Sequence, residues 1–182
     1  MTGPPPKVPV ISAGQVATAT LLNQCSAVAT FLINKPSVYV QANAAQALTT
    51  AGTPVSFATD VHDTDSTAMW VVGSPTKLTV NTPGYWRVAY GVPGTTASTT
   101  CWVRVTTGSN NPLGSGNTFA CWSGASTANG GAVFCVKAAG VIPYFLYQLD
   151  YVELIAQPSS NISTDTSVLY ASMSLEFVSA GY

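Results

Sequence analysis

At residue 37 the spacing of apolar residues changes from three or four positions to strict alternation, and this change constrains the fold more than any other feature. Val38 and Val40 alternate with Tyr39 and Gln41. Val55, Phe57, Thr59 and Val61 alternate with Ser56, Ala58 and Asp60. Leu78 and Val80 follow, then GYWRVAYGV (84–92), CWVRVTT (101–107), TFACW (118–122) and AVFCVKA (132–138). YFLYQLDYVELIAQ (144–157) reads as two strands with a turn near Asp150. In VLYASMSLEFV (168–178), Leu169, Ala171, Met173, Leu175 and Phe177 share one face. The joints AGTP, SPT, TPG, GTTAS, GSNNPLGSGN, SGASTANGG and PSSNIS are turn chemistry. Short strands at regular spacing, with no helices between them, predict an all-β antiparallel sandwich, jelly roll or barrel.

Several of these strands are apolar on both faces. In 84–92 one face offers Trp86, Val88, Tyr90 and Val92, and the other Tyr85 and Ala89 with Arg87. An antiparallel sheet normally wets one side. A second aromatic face predicts a subunit interface, with Tyr85, Trp86 and Tyr90 as candidates; alternation alone leaves open which face is core.

Before residue 37 the chain reads differently, and we divide it into 1–36 and a β-domain, 37–182. Pro4, Pro5, Pro6 and Pro9 predict an extended arm over 1–12, suited to lying along a neighbour. Residues 17–36 predict one amphipathic helix, with Thr18 or Thr20 as N-cap, Lys35 near the C-terminal dipole and Pro36 as the stop. Leu21, Cys25, Val28 and Leu32 follow at spacings of 4, 3 and 4, a coiled-coil seam that Leu22 and Ala29 widen. Two heptads cannot hold an isolated coiled coil. The seam therefore packs either around a symmetry axis or on the helix's own domain.

Only 7% of residues are charged, where about 25% is ordinary. Such a surface, covered by Ser, Thr, Asn, Gln and Gly, suits a protein packed in an assembly. Six Lys and Arg that never cluster exclude a nucleic-acid footprint. No apolar run approaches a membrane span, and the first residues lack the pattern of a secretory signal. Cys25, Cys101, Cys121 and Cys135 have no metal-ligand spacing and read as reduced, small apolar residues.

The inventory for catalysis is thin. One histidine, His62, lies in the loop-like run DVHDTD. Glu153 and Glu176 read as outward-facing strand residues without acidic partners. No P-loop or dinucleotide fingerprint is present. We expect no enzyme and no cofactor. Asp60, Asp63 and Asp65 are the one candidate Ca²⁺ site, against the plainer reading of Asp as a turn former. Trp70, Trp102 and Trp122 are candidates for stacking on a surface glycan, against core or interface packing.

Two stretches carry a resemblance. Residues 31–70 resemble the head of small minor tail proteins from long-tailed phages of actinobacteria. The matching elements are Phe31 to Pro36, Thr53 to Thr59, and Asp60, Asp63 and Asp65 ahead of Trp70. TKLTVNTPGYWRVAYGV, LDYVELIAQPSS and ASMSLEFVS are similar to the jelly roll of complement globular heads and tumour-necrosis-factor-like domains. There Pro83, Gly84, Tyr85 and Trp86 match a "pGxYxv" element, and Asp150 to Glu153 match "GDyVeL", with Leu149 replacing the family's Gly. The resemblance implies a ten-strand jelly roll that trimerises around its aromatic inner sheet. The expected function is a non-enzymatic virion protein, assembled in the host bacterial cytoplasm. It would sit at the tail tip or fibre, or on the capsid as a decoration protein. Its expected partners are itself, other virion proteins through the arm, and a host-surface glycan if it is a carbohydrate-binding module.

Overall fold

In the computed structural model the chain folds as two facing antiparallel sheets, a jelly-roll sandwich, with one helix before them. Residues 5–44, 46, 49, 51–65, 67–91, 99–126, 145–158 and 171–180 are described; for 99, 100, 120–126 and 158 only the backbone is. The strands are β1 Ser37–Gln41, β2 Thr53–Pro54, β3 Thr59–Asp63, β4 Leu78–Thr79, β5 Gly84–Gly91, β6 Thr99–Thr106, β7 Thr118–Ser126, β8 Phe145–Leu146, β9 Tyr151–Pro158 and β10 Ser172–Ser179. The first sheet runs β3-β1-β10-β5-β8. The second runs β2-β9-β6-β7, with β4 also on β9. The strand expected over 132–138, Leu169 and the NIS triplet at 161–163 lie outside the described residues.

Alternation decides the core. Val38 and Val40, Trp86 and Tyr90, and Met173, Leu175 and Phe177 point inward from the first sheet. Cys101, Val103, Val105, Val152, Leu154 and Ala156 meet them from the second. Each large side chain so buried stabilises the fold by about 1.5–3 kcal/mol relative to exposure. Trp86 and Tyr90, expected at a subunit contact, are therefore core residues. Tyr85 takes the outer face, with its ring half-buried.

The run 55–61, expected as one strand, is a crossing between sheets. Thr53 and Pro54 pair with β9 in the second sheet, and Thr59 to Asp63 pair with β1 in the first. Between them Val55 and Phe57 plug the core, their amides held by the Leu154 and Pro75 carbonyls. Tyr39 pairs with His62 but Val40 with Asp60, so Val61 is bulged out and exposed.

The helix, α1, spans Ala19–Ile33. Thr18 caps it, Oγ1 accepting the Leu21 amide at 3.2 Å. Its inner side is Leu21 and Phe31, with Cys25 and Val28 half-buried. Leu32, expected on the seam, is exposed. A straight helix turns 3.6 residues, so its buried stripe drifts from the strict seam and reaches Phe31 instead of Leu32. Phe31 stands edge-on to Phe177 at 5.2 Å, and Phe177 edge-on to Trp86 at 5.5 Å, so an aromatic chain joins the helix to the core. Lys35 lies past the Asn34 cap, outside the last helical turn.

The β8–β9 turn shows what the missing glycine of the resemblance means. Leu149 has φ 71°, a left-handed conformation in which a Leu costs roughly 1–2 kcal/mol. It persists because its neighbours are fixed: Leu149 N–H donates to the Val80 carbonyl and Asp150 N–H to the Tyr147 carbonyl. Across the gap, a Cβ on Gly108 would lie 2.1 Å from the Leu149 carbonyl oxygen, so only glycine fits there.

Two outcomes follow for stability. Tyr90→Ala should lower the unfolding free energy by about 3–5 kcal/mol, the cost of an emptied aromatic core site, in urea titrations. Leu149→Gly should hold or raise the thermal midpoint, because relieved strain offsets the added freedom of the unfolded chain, while Leu149→Val should lower it. A marked loss in Leu149→Gly would show that the Leu side chain, and not the backbone, holds the turn.

Candidate functional site

The three candidate calcium carboxylates do not converge. Asp60 is exposed on β3. Asp63 is turned back into its own loop, Oδ1 accepting the Asp65 amide at 2.9 Å and Oδ2 the Met69 amide at 2.7 Å. Among the described residues no group of three His, Cys, Asp or Glu could hold a metal ion. Asp63 and Asp65 instead shape the loop that leads from β3 to Trp70. Partial burial pushes the Asp63 carboxyl above its ordinary value. The Met69 and Asp65 amides pull it back, and the charges of Asp60 and Asp65 add to the rise.

The tryptophans are placed by packing. Trp70 is a core residue whose Nε1 donates to the Pro75 carbonyl at 3.2 Å, which corrects its reading as a surface platform. Trp102 lies half-buried on the outer face of the second sheet under Gly52, where a Cβ would meet the indole at 2.7 Å. Gly52 has φ +88°, so both backbone and space demand glycine. The Trp122 side chain lies outside the described residues, as do those of Cys121 and Cys135.

Glu153 lies on this outer face, as its strand pattern predicts, but water does not reach it. It is buried, pairing across the strands with Arg104, whose Nε and Nη2 reach Oε2 at 2.9 and 2.7 Å. Thr76 Oγ1 donates to its other oxygen at 3.3 Å, and Lys77 sits 4.3 Å above the Tyr151 ring. Gly52 lies against Trp102 and Ile155 and Thr76 reaches Glu153, so segments before and after Trp70 cover this part of the sheet. Glu176 is exposed as expected, with Arg87 as its ion-pair partner on the outer face of the first sheet. His62 Nε2 lies 3.2 Å from Ser37 Oγ at the exposed β1–β3 edge, where Ser37 Oγ also meets Thr64 Oγ1 at 3.1 Å. That is a surface cross-strand link and not a cleft.

The feature that sequence reasoning missed is an aromatic edge. Tyr85 stands edge-on to Phe145 at 5.4 Å, and Phe145 packs on Tyr147 at 4.9 Å. Register makes the cluster, since Tyr85 is paired with Phe145 across β5 and β8. Beside it opens a groove of about 360 Å³ between the sheets, lined by Val105, Leu113, Phe119, Phe145, Tyr147 and Asp150 among others. Asp150 forms part of its floor. Its carboxylate accepts from Gly108 N and Tyr147 N, each at 2.8 Å, and from Asn111 Nδ2 at 3.0 and 3.2 Å. The spacing of Phe145 and Tyr147 in YFLYQLDY, two apart beside a turn, is the signal that marks them.

On the N-terminal side, the arm exposes Val8, Val10 and Ile11, and Val16 is exposed just before α1. No described helix is long and apolar enough to cross a membrane.

No protein-family model matches the chain, and no curated protein sequence does. Among solved structures, the chain is similar to the globular domain of zebrafish complement 1qA protein. Identity is 14% and the TM-score 0.49, over 80% of this chain and 98% of that one. It is also similar to murine APRIL, with 9% identity and a TM-score of 0.49, over 79% and 98%.

The Asp63 geometry has a pH signature. Its folded pKa lies above its unfolded one, so the native state holds more protons between the two values, and this contribution to stability is lost as pH rises through the folded pKa. The stability difference between wild type and Asp63→Asn, from urea midpoints across the acidic range, should therefore fall as pH rises. A difference that grows with pH would contradict the burial of this carboxyl.

Proposed function

We propose that the chain is a non-enzymatic structural or adhesion protein of a tailed-phage particle, a minor tail or tail-tip component that acts as a homotrimer and attaches through its N-terminal arm. The observation that carries this reading is apolar surface left partly or wholly open in two places. One is the half-buried Tyr85–Phe145–Tyr147 edge of the first sheet. The other is the arm, with Val8, Val10, Ile11 and Val16 exposed. With only 7% charged residues, little on this surface offsets the cost of wetting them. Subunit contacts would cover the first, and a neighbouring particle protein the second. The resemblance of residues 31–70 supports the phage setting, and the same geometry suits a capsid decoration protein. Immunogold labelling of particles separates head from tail.

The groove beside Phe119, Phe145 and Tyr147 supports a second reading, a carbohydrate-binding host-recognition module, because rings at the mouth of a cleft can stack on sugar faces. Screening the protein against host cell-wall glycans tests it.

Mass photometry of the purified chain should show three subunits. Tyr85→Ala should keep the folded circular-dichroism spectrum and weaken the trimer by about 2 kcal/mol or more, an aromatic loss at an interface centre. A soluble wild-type monomer at micromolar concentration, or a Tyr85→Ala trimer as tight as wild type, would overturn the sheet interface.

A further inference from the structure

The helix carries a second apolar stripe, one position away from its buried side. Leu21 and Phe31 face the domain, but Leu22 and Leu32 are each 60% exposed and Ile33 is 80% exposed. Leu22, Cys25, Ala29 and Leu32 follow at spacings of 3, 4 and 3, which is a heptad seam. Cys25 is half-buried and its thiol is not in a disulfide. No described residue closes over Leu22, Leu32 or Ile33.

We propose that this stripe packs against the same stripe of other copies of the chain, parallel and in register, along the axis of the homotrimer. The proposal rests on the self-association proposed above and gives it a second contact. Three observations select a copy of the chain as the occupant. The alternation of three and four is the pattern of a seam that closes on its like. No charged residue occurs from Gln15 to Asn34, so identical helices meet without repulsion and carry no charge code for a different partner. Small Cys25 and Ala29 lie at mid-helix between Leu22 and Leu32, which lets the backbones approach. The helix is 15 residues long, about 22 Å, too short to associate by itself. A seam of Leu22, Cys25, Ala29 and Leu32 is also far smaller than a standard interface, which takes about 20–30 residues a side. The sheet contact supplies the rest by holding the helices at high local concentration.

The test uses the full chain and a short bismaleimide, which links neighbouring thiols. Wild type should give a cross-linked dimer band on denaturing gels, and Cys25→Ala should lose most of it. Leu22→Cys in the Cys25→Ala background should restore the band, because in a parallel, in-register seam residue 22 meets residue 22, whereas antiparallel helices would keep these thiols apart. Leu22→Glu with Leu32→Glu should dissociate the trimer at a concentration at least tenfold higher than wild type, with the folded spectrum unchanged. If the protein is trimeric but Cys25 does not cross-link and the double Glu variant is as tight as wild type, the seam is wrong and the trimer stands. If the protein is a monomer, the seam and the reading beneath it fall together. Cross-linking that appears only with other particle proteins present would assign the stripe to a different partner and overturn the proposal.

Discussion

The Asp150 carboxylate is the constraint on which the groove end of the sandwich depends. It is almost fully buried, and an isolated buried carboxylate is among the costliest groups a fold can contain. Here it is satisfied by two backbone amides and one side-chain amide, drawn from the β6–β7 loop and from its own turn. That one group sets the distance between the Gly108 loop and the Tyr147 turn. It thereby fixes Leu149 in its left-handed conformation, and Leu149 and Asp150 in turn bond Val80 at the end of β4. The ring positions of Phe145 and Tyr147, and hence the aromatic edge, follow from where this turn begins.

Much of this was legible in the sequence, and the exceptions have causes. Strand alternation identified Met173, Leu175 and Phe177 as one face, and the turn at Asp150 and the Thr18 cap were readable from local chemistry. The crossing at 55–58 was not, because alternation runs unbroken through a corner at which the chain changes sheet. The burial of Glu153 was not legible either. Its strand pattern says only that it points away from the core, and two loops distant in sequence decide that the space outside is closed. Trp70 was ambiguous by residue type, since an indole serves equally as core and as platform until the Pro75 carbonyl claims its N–H.

The helix shows how a small mismatch of period redistributes function. A strict seam would have put Leu21, Cys25, Val28 and Leu32 on one line. The observed helix instead divides its apolar residues between its own domain, through Leu21 and Phe31, and solvent, through Leu22 and Leu32. The Phe31–Phe177–Trp86 chain makes that division rigid at one end, because rotating the helix to hide Leu32 would withdraw Phe31 from the core.

The two outer faces of the sandwich are unlike. Gly52 lies on Trp102, and Thr76 and Lys77 lie against Glu153 and Tyr151, so the β9 and β6 part of the second sheet is covered by its own chain. The first sheet keeps Arg87, Glu176 and Val178 in water beside its aromatic edge. Sandwiches that pile face upon face without limit, as in a fibre, require two open walls. Here Gly52, Thr76 and Lys77 would have to move before a second sandwich could lie flat on the covered wall, so the two walls of one subunit are not interchangeable.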